Sequence, residues 1–164
     1  MHTRVLTPKR GPALFVRPLR NGDTATVAAV FARLGYESRR ARFNGPKPSL
    51  GHTDLEQLAR VDATHHALVA FVAGDAEPVA LARLVRDGDT AEIAFEVADA
   101  YQQLGIGAAL TEELLADARA AGIRTVTALV ASDNRAALAL LRRVLKAFDV
   151  RFEGPELTVS AALA

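Results

Sequence analysis

Two stretches of the chain have residue types and spacing suited to chemistry. Gln102-Gln103-Leu104-Gly105-Ile106-Gly107 ends in two glycines one residue apart, immediately before a run of helical period. A helix start leaves about four N–H groups without partners and carries roughly half a positive charge, so it attracts anions wherever backbone can approach them. Glycine at 105 and 107 clears side chains from that approach. Just upstream, Ala91-Glu92-Ile93-Ala94-Phe95-Glu96-Val97 has the alternation of a strand, with Glu92, Ala94, Glu96 and Ala98 on one face and Ile93, Phe95 and Val97 on the other. Two carboxylates among small residues are candidate proton acceptors, and a solvated sheet face is the plain alternative.

The glycines admit several anions. A P-loop requires a lysine after its second glycine, and Ala108-Ala109-Leu110-Thr111 follows Gly107 instead. A dinucleotide fingerprint requires a third small residue where Leu110 stands, and a first glycine tight against its strand. Neither pattern is met.

Composition narrows the classes further. The 164 residues suit one domain, no apolar run reaches the ~20 residues of a membrane span, and the basic N-terminus lacks the apolar core of a secretory signal. A cytoplasmic protein is expected, with no membrane partner. The absence of cysteine excludes disulfides, thiolate metal sites and cysteine nucleophiles. A net charge of +1 from 20 basic and 19 acidic residues gives no footprint for nucleic acid. His52, His65 and His66 form no ligand spacing, so no metal is expected.

Elements that would position the carboxylates and glycines follow from period and punctuation. Residues 1–12 hold prolines and glycine without an apolar period and read as a flexible tail, leaving residues 13–164 as the folded domain. Strands are expected over 13–19, 66–72, 78–86, 90–98, 124–131, 148–152 and 157–163, with hairpin turns at Gly74-Asp75 and Asp87-Gly88-Asp89. Helices are expected over the residues after Asp23, over 36–43, 54–61 and 105–121, and over 134–147 with Ser132 or Asp133 as cap. The order makes a mixed α/β domain on one sheet.

The hexapeptide resembles the Q/R-x-x-G-x-G/A pyrophosphate motif of the GNAT superfamily of acyl-CoA-dependent N-acetyltransferases. The preceding Ala91-Glu92-Ile93 resembles that family's fourth strand, and Ala131-Ser132-Asp133-Asn134 its fifth strand and following asparagine. Residues 95–107, together with Ser38-Arg39-Arg40-Ala41-Arg42-Phe43, are most similar to the actinobacterial Pat-like protein-lysine acetyltransferases. The resemblance implies a central mixed, mostly antiparallel sheet of about seven strands flanked by about four helices. It implies acetyl-CoA as co-substrate, Glu92 as general base and Glu96 as a second candidate. It places a thioester-facing backbone N–H at Val97 or Ala98. The pyrophosphate would lie on Gln102, Gln103, Leu104, Gly105, Ile106, Gly107 and Ala108, and Asn134 would meet the pantetheine arm, with a plain helix cap as its alternative role. The acceptor implied is a primary amine, on a protein lysine or a small molecule, attacked directly in a ternary complex. Regulation through the cyclic-nucleotide-binding domain of the Pat group is not expected from these residues.

Two departures stand out. Many family members place a thiolate-protonating tyrosine seven residues after the asparagine, where this chain has Leu141, and the usual Gly-Phe helix ending is replaced by Leu145-Lys146-Ala147-Phe148. Leu141 favours a non-catalytic CoA-binding sensor, whereas Glu92 favours an enzyme. Arg39, Arg40 and Arg42 fall where the family walls its acceptor site, either as a solvated helix face or as contacts to an acidic acceptor. A homodimer paired through the terminal strand is a further expectation.

Overall fold

The computed structural model describes residues 2–163. Its period-two segments are β1 (Arg4–Leu6), β2 (Leu14–Pro18), β3 (His65–Val72), β4 (Ala80–Asp87), β5 (Thr90–Val97), β6 (Thr125–Ala131), β7 (Asp149–Glu153) and β8 (Glu156–Ala162). They form one sheet in the order β1-β2-β3-β4-β5-β6-β8-β7. Every neighbouring pair is antiparallel except β5 and β6. The helices are α1 (Thr24–Ala32), α2 (Tyr36–Phe43), α3 (His52–Leu58), α4 (Ile106–Ala120) and α5 (Arg135–Val144), with a 3-10 turn at Asp99–Tyr101. The fold is the expected mixed, mostly antiparallel sheet flanked by helices; among the described residues the five helices read from period are all present, and one short strand, β1, is added to the seven expected.

Alternation sorts the strand side chains into two cores. On one face Leu68, Ala82, Leu84, Ala91 and Ile93 pack with Ile106, Leu110, Leu114 and Leu115 of α4 and with Leu141 of α5. On the other, Ala67, Val69 and Leu81 pack with Val27 and Val30 of α1 and with Leu55 and Leu58 of α3. The 3.6-residue stripe of α4 thus meets the period-two stripe of β3 to β5, which fixes where the helix begins relative to the end of β5. Gly122, at φ +82°, ends the helix as expected.

Beyond its first three residues β5 loses its partner. The β5–β6 register holds Thr90–Thr125, Ala91–Val126 and Glu92–Thr127 only, yet both strands run on. β4 follows β5 to Val97, and β8 follows β6 to Ala131. The sheet therefore forks at Glu92, each arm kept straight by its outer neighbour.

The flexible tail is corrected in part. Arg4–Leu6 pairs with β2 as an edge strand, and the Arg4 guanidinium lies 3.0 Å from carboxylate oxygens of both Glu113 and Asp117 on α4. Three residues are too few to show a period, so this strand could not be read from sequence. The terminal strand is also corrected: β8 lies between β6 and β7, so its edges are occupied, and the outer strand is β7. Helix α5 is capped by Asn134 itself, whose Oδ1 accepts from the Ala137 N–H at 3.1 Å, in place of Ser132 or Asp133.

Leu114 is completely buried in the α4 core. Leu114→Ala is expected to cost about 2–5 kcal/mol, read as a lower urea midpoint at unchanged slope.

Candidate active site

The fork opens a cavity of about 660 Å³ between Ile93–Val97 of β5 and Ala128–Val130 of β6, with α2, the start of α4 and α5 as its remaining walls. Ladder alternation along β5 turns the N–H and C=O groups of Phe95 and Val97 toward the missing partner. The Ala98 N–H points the other way and donates to the Val79 carbonyl at 2.8 Å. The Val97 carbonyl, on the open edge, accepts from Gln102 Nε2 at 3.0 Å. Val97 thus turns a free N–H to the cavity, and Ala98 does not.

At the mouth of the fork stands the glycine-rich turn. Gln103 and Gly105 have φ of +62° and +82°, a left-handed alternation that turns successive amides to one side. No protein acceptor among the described residues takes the N–H groups of residues 103–108, and the first amide of α4 to find one is Ala109, 3.0 Å from the Gly105 carbonyl. Six amides in a row, with a helix macrodipole behind them, make an anion cradle. Gly107 is needed for room: a Cβ there would lie 2.9 Å from Leu140 Cδ1 and 3.2 Å from Val97 Cγ2. Ile106 is buried in the core and serves through its backbone alone. The Gln102 side chain, expected at the anion, instead bonds Val97 and Ser38 and ties the turn to β5 and α2.

The two carboxylates share a face but not an environment. Glu96 is 8% exposed and lines the large cavity, with Oε2 lying 3.6 Å from Arg42 Nε. Burial pushes its carboxyl above the usual range, and the opposing fields of Arg42 and Arg83 only partly offset this. Glu92 is exposed and lines a second cavity of about 280 Å³ with Arg42, Lys47 and Arg83. Arg42, Ile93 and Ala94 border both cavities, so the two meet beside the closed end of the fork.

The three arginines of α2 separate. Arg39 stacks on Phe31 at 4.1 Å and donates to the carbonyls of Phe31 and Pro48, so it braces the fold. Arg40 pairs with Glu37 and with Asp133 across the cavity mouth. Arg42 alone turns inward. The histidines are occupied elsewhere: His52 by Glu56, His65 by Asp62, His66 by Asp117. Asn134 borders the large cavity with its oxygen spent on the helix cap. Leu141 is completely buried, and the α5 residues facing the cavity at that level are Leu140 and Arg143. A hydroxyl at 141 would point into the core, so Leu141 says nothing against chemistry. Sequence reasoning missed Arg83, whose place on β4 opposite Ala94 carries no local signal.

The profile of the acetyltransferase (GNAT) family matches residues 33–146. This chain belongs to that family. It is 33% identical over 141 residues to the acetyltransferase Pat of Mycolicibacterium smegmatis, a match that spans 83% of this chain and 42% of that protein. A Pseudomonas aeruginosa acetyltransferase is 31% identical over 133 residues, 77% of this chain and 70% of its own length. Among solved structures, the GNAT domain of S. lividans PAT superimposes with a TM-score of 0.88 at 27% identity, covering 98% of this chain and 97% of that one. This chain therefore spans about two-fifths of the length of Pat and nearly the whole of an isolated GNAT domain.

Gly107→Val fills the space between α4 and α5 by displacing the flexible end of Leu140. Calorimetry is expected to show acetyl-CoA affinity reduced roughly tenfold or more, with a fall in Tm of only a few degrees.

Proposed function

We propose that this chain is an acetyl-CoA-dependent N-acetyltransferase that transfers to a primary amine within a ternary complex. The observation that carries the reading is the junction of the forked sheet with six unpartnered amides at its mouth. The donor set fits the molecule: an anion cradle for a pyrophosphate, then an open strand edge for the amides of a pantetheine arm. The amides of Gln103 to Ala108 would hold the phosphates. Asn134, with its oxygen committed to the cap, would offer its N–H groups to the arm. When bound, acetyl-CoA supplies a thioester carbon that an amine can attack.

The arm would run from the cradle toward the closed end of the fork, which brings the reaction near Glu92. The amine would enter from the smaller cavity, on the face that bears the Glu92 carboxylate. A lysine amine has a pKa of about 10.4 and is almost wholly protonated at neutral pH, so a base must remove its proton before attack. Glu92 is that base in this reading, directly or through one water, because its exposed carboxylate lines the cavity by which the amine enters. Glu96, buried beside Arg42, sets the local charge and is the second candidate. An N–H on the open edge of β5, at Val97 by the family resemblance or at Phe95 nearer Glu92, faces the oxygen that gains charge as the amine adds. Thiolate is a tolerable leaving group, and water protonates it.

Support for the acceptor class comes from the relatives, which are named acetyltransferases. A protein lysine, as the Pat resemblance implies, and a small amine both fit the entry.

Glu92→Gln is expected to lower turnover by about 100-fold or more in a thiol-release assay while leaving acetyl-CoA affinity near that of the parent. Undiminished turnover transfers the role to Glu96. Acetyl-CoA binding without thiol release on any amine would support a binding module instead, and no binding at all would sink both readings.

A further inference from the structure

We infer that the smaller cavity is a receptor for a carboxylate carried by the acceptor close to its amine, with Arg42 and Arg83 as the ligands. The inference rests on the acetyl-transfer reading for the identity of the acceptor. Its physical basis is independent of that reading. Arg42 and Arg83 stand on facing elements, α2 and β4, and both line the cavity. The Nε atoms of both are buried without a hydrogen-bond partner. Each guanidinium carries five N–H donors in a fixed fork. Among the described residues, Arg83 makes a single hydrogen bond, from Nη2 to the Gln57 carbonyl at 3.3 Å, and Arg42 makes none. The Glu96 oxygen nearest Arg42 is 3.6 Å away, beyond hydrogen-bond reach, and that oxygen is itself unpartnered.

Charge points the same way. Lys47, at the rim, is already paired with Asp54 at 3.2 Å. Among the described residues no carboxylate lies within ion-pair distance of Arg83, and burial first and the field of Arg42 second pull it below the usual guanidinium range, against the weaker opposing fields of Glu96 and Glu92. The fields of Glu96 and Glu92 offset part of the charge of the two guanidiniums, yet neither carboxylate makes a hydrogen bond to them. Desolvated guanidinium N–H groups without acceptors are costly, and a bidentate carboxylate satisfies them.

An amine presented alone would meet repulsion from two cations. An amine beside a carboxylate meets them with the carboxylate and extends its nitrogen to Glu92, which lines the same cavity. The two guanidiniums also lower the pKa of an ammonium held nearby, which favours the neutral amine. Two sources share this chemistry: a free amino acid, and a lysine next to an acidic residue in a polypeptide. A polyamine has neither.

The test uses the full chain in two parts. Calorimetry with malonate as a minimal probe is expected to show binding that is lost in Arg83→Met and weakened in Arg83→Lys, which keeps the charge but not the fork. Circular dichroism confirms that each variant is folded. Absence of malonate binding to the parent overturns the inference whatever the activity. Kinetics then compare alanine with alaninamide, and a peptide with Glu beside its Lys with the same peptide carrying Gln. The acidic member of one pair is expected to lead by roughly tenfold to hundredfold in kcat/KM, and the pair that does so identifies the source. In Arg83→Met that ratio should fall to near one, with the KM for acetyl-CoA unchanged. Equal rates within both pairs, or a ratio that survives Arg83→Met, overturns the inference and leaves acetyl transfer standing. Malonate binding with no acetylation of any amine upholds the anion site and removes the transferase reading.

Discussion

The parting of β5 from β6 after Glu92 and Thr127 is the constraint on which everything else in this molecule depends. A continuous sheet satisfies its backbone groups strand to strand, and a gap inside one leaves an edge that water or a ligand must satisfy. Here the gap survives because each arm has a full partner on its outer side, β4 for β5 and β8 for β6. Closing it would require both outer pairs to shift register, which would turn the buried alternation of Ile93 and Val126 inside out. The fork is thus held open by the hydrophobic pattern of its neighbours.

Helix α4 makes the gap useful. Its apolar stripe, seated on β3 to β5, fixes its start at the end of β5, and the left-handed turn through Gln103 and Gly105 aims six free amides at the mouth of the fork. Gln102 fastens that turn to the last carbonyl of β5. One packing solution therefore sets both the electrostatic end and the strand-edge end of a single channel. On the opposite face, α2 brings Arg42 against the shared carboxylate face of β5, and β4 adds Arg83. Burial at this place does two things at once: it pushes Glu96 toward its neutral form and leaves the guanidiniums short of acceptors.

Much of this was legible in the chain. Alternation identified seven of the eight strands, and Tyr36–Phe43 matched its helix at both ends. The cradle was legible because glycine at 105 and 107 has a backbone meaning that other residues lack: a positive φ at one and no room for a Cβ at the other. The edge strand Arg4–Leu6 escaped because its stability comes from Arg4 reaching Glu113 and Asp117, more than a hundred residues away. The cap of α5 was legible only as a choice, since Ser132, Asp133 and Asn134 are all good caps, and the structure selects Asn134.

What the sequence determined alone was seven of the eight strands, the helices, the glycine-rich turn and the family, because each rests on local period or on a short motif. What the tertiary structure decided was which side chains share a space. Glu92 and Glu96 lie on one strand face, yet α2 covers one and leaves the other exposed. Leu141, counted as the place of a lost hydroxyl, points into the core because the pitch of α5 carries Leu140 to the cavity instead. Arg39, Arg40 and Arg42 look alike in sequence, and only their direction from α2 separates a brace, a surface pair and a cavity cation. Direction is set by packing against residues far away in the chain, and no local pattern encodes it.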